Sequence, residues 1–173
     1  RNHDYEDRLY RNDNGHFLDI SEQAGIVANV LNFGLGVVVS DFNNDGWPDM
    51  YVSNDFDESD YFYINNKNGT FSESFSACMQ VSSLNTMGLD AADFNNDGLT
   101  DIVTLDMLPE TNYLQKTHAG SNNFDKTNLL INSGFQPQFS QNTLQKNNGD
   151  GTFSEMAQLA GISNTDWSWS ALF

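Results

Sequence analysis

Nine residues occur twice in nearly the same form, as Asp41-Phe-Asn-Asn-Asp-Gly-Trp-Pro-Asp49 and as Asp93-Phe-Asn-Asn-Asp-Gly-Leu-Thr-Asp101. A duplication of this kind restricts a chain to folds built by repetition. Each copy sets oxygen-bearing side chains at positions 1, 3, 5 and 9, which are Asp41, Asn43, Asp45 and Asp49 in one and Asp93, Asn95, Asp97 and Asp101 in the other. A hard cation of calcium's size takes six to eight oxygens, and alternate positions of a curled loop can supply them. Gly46 and Gly98, at position 6, permit the sharp turn because glycine tolerates positive φ. The simpler alternative is an Asn-Asp-Gly hairpin turn. Against it, all four oxygen positions are kept in both copies, and three carboxylates in one loop repel one another without a cation.

The motif opens like an EF-hand loop and then departs from it. An EF-hand closes with a bidentate Glu at position 12 and is flanked by helices. Here position 12 is Val52 or Thr104, and the flanks are short apolar runs: Leu35-Gly-Val-Val-Val39 and Met50-Tyr-Val52 about the first loop, Met87-Gly-Leu-Asp-Ala-Ala92 and Ile102-Val-Thr-Leu105 about the second. Such runs bounded by Gly, Asn and Asp predict strands. Each loop therefore joins two strands.

The repeat extends beyond the loop. Asp60-Tyr-Phe-Tyr-Ile-Asn-Asn66 leads through Lys67-Asn-Gly-Thr70 into Phe71-Ser-Glu73, a cadence matched at Leu9–Phe17 and Leu144–Phe153. Ser21-Glu-Gln-Ala-Gly-Ile26 returns as Ala157-Gln-Leu-Ala-Gly-Ile162. Asp41 and Asp93 are 52 residues apart, Phe17 and Phe71 54, but Phe71 and Phe153 82, which places an insertion at 106–141. A unit near fifty residues with four strands suits a propeller blade. A β-helix has shorter repeats, and a β-sandwich does not account for repetition of the whole unit.

These residues resemble the FG-GAP/VCBS repeat family, the calcium-loop blades of the integrin α-subunit propeller. A closer likeness is to the bacterial ASPIC/UnbV-associated repeat proteins. It rests on Ser53-Asn-Asp-Phe56 with Asp60-Tyr-Phe-Tyr-Ile-Asn65, Ala92-Asp-Phe-Asn-Asn-Asp-Gly98, Leu105-Asp-Met-Leu-Pro-Glu110 and Ala160-Gly-Ile-Ser-Asn-Thr-Asp-Trp-Ser-Trp169. The resemblance implies an all-β fold, a β-propeller segment of about two to three four-stranded blades belonging to a larger seven-bladed ring. It implies two Ca2+ ions, one per loop, with the position-7 backbone carbonyls of Trp47 and Leu99 completing the cages. On this scheme residues 1–33 close one blade, 34–85 and 86–160 are complete blades, and 161–173 begin a further one. The units are too few for a seven-bladed ring, so the chain reads as a piece of a longer protein whose open blade faces can self-associate.

Composition narrows the function. With 24 acidic against 7 basic residues the formal charge is -17, which argues against nucleic acid. Aromatics at 13% and charged residues at only 18% suit packed blades rather than disorder. No apolar run is long enough to span a membrane. Cys78 is the one cysteine, so no internal disulfide or thiolate cluster forms. Calcium and the resemblance together predict an extracellular, periplasmic or outer-membrane surface setting.

Catalysis finds little purchase. His3, His16 and His118 lack metal-ligand spacing, and no Gly-x-Ser-x-Gly elbow occurs. The run Asp55, Asp57, Glu58, Asp60 offers paired carboxylates for glycoside chemistry, but a solvated connection is the plainer reading. The insertion, with Tyr113, Lys116, His118, Phe124, Lys126, Phe135 and Phe139, is the best candidate for recognising a protein or glycan, although packing onto the propeller is the plainer account of its aromatics. Trp167 and Trp169 alternate as in a half-buried strand. The expected function is a calcium-binding, non-catalytic scaffold for binding or adhesion. The rival is a carbohydrate-active propeller enzyme whose site lies in the insertion or in further blades.

Overall fold

The computed structural model describes residues 6–118 and 124–173; His3 lies outside the described residues. The chain begins with a hairpin, β1 (Tyr10–Asp13) and β2 (His16–Asp19), followed by a single helical turn, α1 (Ser21–Ala24). Strands β3 (Gly34–Ser40), β4 (Asp49–Asn54), β5 (Tyr61–Asn65) and β6 (Phe71–Glu73) then form an antiparallel sheet in chain order. After α2 (Phe75–Cys78) and β7 (Ser82–Ser83), the second sheet uses β8 (Gly88–Ala92) and β9 (Asp101–Leu105). The insertion supplies α3 (Asn112–His118), α4 (Phe124–Asn132) and β10 (Gln138–Phe139), which pairs in parallel with β7. Strands β11 (Thr143–Asn147) and β12 (Phe153–Glu155) complete the second sheet, and α5 (Ala157–Ala160) follows.

Local chemistry explains why these units look alike. The β1–β2 turn places Asn14 and Gly15 at φ 54° and 93°, the paired positive angles that match the twist of a two-residue hairpin. After the fourth strand an acid folds back in every unit. Glu73 Oε1 accepts from the Phe62 and Phe75 amides, and Glu155 Oε1 accepts from those of Leu144 and Ala157. Asp19 Oδ1 accepts from the Ser21 amide in the same way. Turns α1 and α5 end on left-handed Gly25 and Gly161, as a C-terminal cap requires.

Alternation along the strands gives each sheet two apolar faces. Phe42, Tyr51 and Phe62 from the first sheet and its loop meet Ile102 and Phe153 of the second, with Val38, Leu89 and Ala91 at the margin. The Phe42, Phe62 and Phe153 rings meet edge to face, with centroids 5.4–6.5 Å apart. On the other side of the first sheet, Tyr61 and Tyr63 pack against Ala24 and Ile26. The outer side of the second sheet packs Val103, Leu105 and Leu144 against Ala157, Ile162 and Ala171. Each large side chain buried in these layers contributes about 1.5–3 kcal/mol. The first strands lie alongside each other, and the bare Cα of Gly36 lets the Leu89 side chain approach closely.

Two expectations need correction. The fold is mostly β rather than all-β, because the insertion is largely helical. Thr111 Oγ1 accepts from the Leu114 amide and caps α3, the usual role of a threonine at a helix start. Residues 161–173 contain no strand, and Trp167 and Trp169 are 65% and 59% exposed. A strand needs a partner, and among the described residues no second strand lies beside this segment. It is tied down instead by the Phe173 amide donating to Asp90 Oδ2 at 2.9 Å and by the Trp169 carbonyl resting over Gly88.

Candidate metal centre

Both repeated loops leave the first strand of a sheet and return on the second, closed by the register pairs Ser40 with Asp49 and Ala92 with Asp101. Inside the first loop, Asp41 Oδ1 and Oδ2 accept from the Asp45 and Gly46 amides at 2.9 and 2.7 Å. Asn43 Oδ1 also accepts from Asp45, and Asp45 Oδ1 accepts from the Trp47 amide. The second loop repeats the pattern bond for bond: Asp93 to Asp97 and Gly98, Asn95 to Asp97, and Asp97 to Leu99. The left-handed positions also coincide, with Asn44 and Gly46 at φ 56° and 88° and Asn96 and Gly98 at 59° and 84°. Asparagine and glycine are the residues that occupy this region most readily.

The position-9 carboxylates do a different job. Asp49 and Asp101 are fully buried. Asp49 Oδ1 accepts from the Asn65 amide at 2.8 Å and Asp101 Oδ1 from the Asn147 amide at 2.7 Å, so each pins its loop to the third strand. Asp49 Oδ2 accepts from the Phe42 amide at 3.1 Å, and the Phe94 amide faces the Asp101 carboxylate in the same way, less well aligned. Burial, followed by the facing carboxylates (Asp45 and Asp41 at the first loop, Asp97 at the second), raises both above the ordinary Asp value.

The position-5 carboxylates each meet a lysine from the following hairpin: Asp45 Oδ2 lies 3.2 Å from Lys67 Nζ, and Asp97 Oδ2 3.4 Å from Lys146 Nζ. The Asp45 value falls below the ordinary one: partial desolvation opposes the shift, and the Lys67 contact and the Trp47 amide outweigh it. Asp97 is lowered by the Asn95 amide above all, and by Lys146. The two loops are neighbours on one edge of the molecule. Asn44 Nδ2 donates to the Gly98 carbonyl at 3.4 Å, and Asn147 Nδ2 donates to the Phe42 and Thr100 carbonyls of both loops. Asn65 Nδ2 makes the equivalent bond to Pro48 O.

Tested as a cation site, each loop is right in kind, with hard side-chain oxygens at positions 1, 3, 5 and 9. The carboxylates are spread along the loop backbone, however, and among the described residues no three His, Cys, Asp or Glu side chains converge as a metal cluster. Asn65, Asn147, Lys67 and Lys146 escaped the sequence reading of the loops. The asparagines were detectable, since both sit at the same step of the repeated cadence. The lysines sit at different steps and were not.

The other candidate residues are scattered. Asp57 pairs with Lys126 at 2.6 Å, Asp55 Oδ1 accepts from Asn85 Nδ2, and Glu58 Oε1 accepts from the Tyr61 hydroxyl. Asp60 is fully buried. Glu58 and Glu73 line a shallow cleft of 260 Å³, but Glu73 is the acid that closes the repeat turn. In the insertion, Tyr113, Phe124 and Leu129 are exposed, and Phe124, Lys126, Leu130 and Phe139 line a cavity of 360 Å³. No described helix is long and apolar enough to cross a membrane.

No curated protein matches the chain. Residues 1–52 and 41–104 match the FG-GAP-like repeat family, a stretch that contains the first loop and sheet and the second loop with most of β9. With more than half of its length inside that match and its two loop-bearing sheets built alike, the chain belongs to the FG-GAP-like repeat family.

Proposed function

We propose that this chain is a calcium-stabilised segment of a larger β-propeller, of the ASPIC/UnbV-associated kind, that serves as a non-catalytic binding scaffold outside the cell or at its envelope. The observation that carries the reading is the identity of the two loops in hydrogen bonding and backbone conformation. A turn needs only one good geometry, whereas two loops keeping the same oxygens at positions 1, 3, 5 and 9 point to a shared ligand. Asp41, Asn43, Asp45 and Asp49 with the Trp47 carbonyl would hold one Ca2+. Asp93, Asn95, Asp97 and Asp101 with the Leu99 carbonyl would hold the other. The ion would offset the repulsion among the three carboxylates carried by each loop.

A larger ring is supported by comparing the two sheets. Leu89 and Ala91 on β8 pack against the first sheet, while Val37 and Val39 at the equivalent places on β3 are 60% and 57% exposed. Another blade, or a second copy of this chain, would cover that face. Monomeric behaviour in sedimentation velocity would count against self-association. The helical insertion, with its exposed aromatics and adjoining cavity, is the surface proposed for a protein or glycan partner.

The ligand assignment is tested by equilibrium dialysis of calcium against Asp45→Ala and Asp97→Ala. Each variant loses one bound ion and melts several degrees lower. Calcium binding unchanged in both would sink the assignment.

A further inference from the structure

Beside the cavity of the insertion lies a larger cleft, of 620 Å³, that shares Phe139 with it. Three parts of the chain line it: Val81 in the connection between the sheets, Pro137, Phe139 and Gln141 at the end of the insertion, and Glu155 and Gln158 at the close of the second sheet. Hydrogen bonds to the backbone fix these walls. Pro137 O accepts from the Ser82 amide at 3.3 Å, and Phe139 O from the Leu84 and Gln141 amides at 3.0 and 2.8 Å. Val81 O accepts from Gln145 Nε2 at 2.9 Å. The cleft is therefore preformed, and its volume falls within the range of about 300–1,000 Å³ usual for small-molecule sites.

The side chains select the ligand. Gln158 Nε2 donates to Gln141 Oε1 at 3.3 Å, which leaves Gln141 Nε2 to donate and Gln158 Oε1 to accept. Turning both amides over exchanges the roles and keeps one donor beside one acceptor. A hydroxyl group, which donates and accepts at once, complements such a pair. Glu155 Oε1 is taken by the Leu144 and Ala157 amides, so Oε2 is the oxygen left to accept from a second hydroxyl. Phe139, 49% exposed, sets an apolar ring beside these polar groups, and the C–H face of a sugar can stack on it. No residue lining the cleft is basic, and the whole chain carries 24 acidic against 7 basic residues, so anionic ligands are repelled. An extended peptide fits less well, because β12, the edge strand it would lengthen the sheet from, has only three residues. The first sheet lacks this equipment: Ser59 and Ser76 stand at the steps of Gln141 and Gln158, and the cleft there measures 260 Å³.

We propose that this cleft binds a short stretch of a neutral glycan, stacked on Phe139 and hydrogen-bonded through Gln141, Gln158 and Glu155. The proposal rests on the scaffold reading and gives its recognition surface a place and a ligand class.

Nuclear magnetic resonance titration of the full, isotope-labelled chain tests it, with neutral tetrasaccharides of glucan, xylan, mannan and galactan, and tetragalacturonate as the acidic control. A neutral sugar shifts the side-chain amides of Gln141 and Gln158 and saturates, whereas tetragalacturonate does not. Phe139→Ala weakens that binding about tenfold and Gln158→Ala about threefold. Both side chains are exposed, so the variants fold. Trp167→Ala, at an exposed ring outside the cleft, leaves the binding unchanged. The proposal is overturned if no neutral sugar shifts those amides, if both cleft variants bind as wild type does, or if tetragalacturonate binds as tightly. Any of these failures leaves the calcium-bearing scaffold standing. A sugar that binds here and is shortened during the titration has the opposite meaning: the cleft stands and the non-catalytic reading falls.

Discussion

Asp60 and Asn142 occupy the same step of the repeat, and the difference between them sets a pH dependence. Both accept a backbone amide at the end of a second strand: Asp60 Oδ1 from Asn54 at 2.8 Å, Asn142 Oδ1 from Asp106 at 2.8 Å. Acid and amide have simply changed places between the sheets. Asp60 is fully buried, and that burial, reinforced by Asp106, raises its carboxyl to about 7 despite donors at Tyr51, Asn54 and Thr86. The native chain therefore holds this proton more tightly than the unfolded chain does. Its contribution to stability is greatest below the ordinary value of 3.8, declines as pH rises toward about 7, and is flat above. The full swing is on the order of 4 kcal/mol as an upper bound. Asp60→Asn, which copies the second sheet, is predicted to abolish that slope in urea melts between pH 4 and 8. An unchanged slope would place the titrating group elsewhere. Nothing in the sequence announced this, because an Asp in an acidic run reads as solvated until burial is known.

The loops show what a motif does and does not disclose. Their strand-to-strand placement followed from the β-branched flanks and their turns from Gly46 and Gly98, while the left-handed Asn44 and Asn96 emerged only in the structure. The lysine at each position-5 carboxylate was hidden, since Lys67 lies in a turn and Lys146 within β11. An ammonium beside an ion ligand opposes a second cation, so Lys67→Met and Lys146→Met are predicted to tighten calcium binding about two- to fivefold at low salt, less at high salt. Calorimetric titration checks it, and weaker binding in both variants would show that the lysines support the site. The helices of the insertion were not legible in the sequence for a different reason. Helix α4 spans only nine residues and buries none of them, too short a stretch for its apolar residues Phe124, Leu130 and Ile131 to announce a helix by their spacing. Trp167 and Trp169 alternate as a strand would, but alternation specifies a strand only where a neighbour is present to pair with it.

Taken together, the chain is a layered stack: an N-terminal segment, two four-stranded sheets and a C-terminal segment, with both loops at one edge and the buried acid–amide network at the other. The repeat made this legible, because a unit of about fifty residues with four strands has few ways to pack. What repetition could not reveal is where the copies differ, and those differences fall at Asp60, Asn54 and the insertion. The central claim is that calcium holds this stack together, so the most direct measurement is the melting temperature of the chain in millimolar calcium and after chelation. The account predicts a rise with calcium that grows with its concentration and vanishes in chelator. A melting temperature indifferent to calcium would contradict it and reduce both loops to self-sufficient turns.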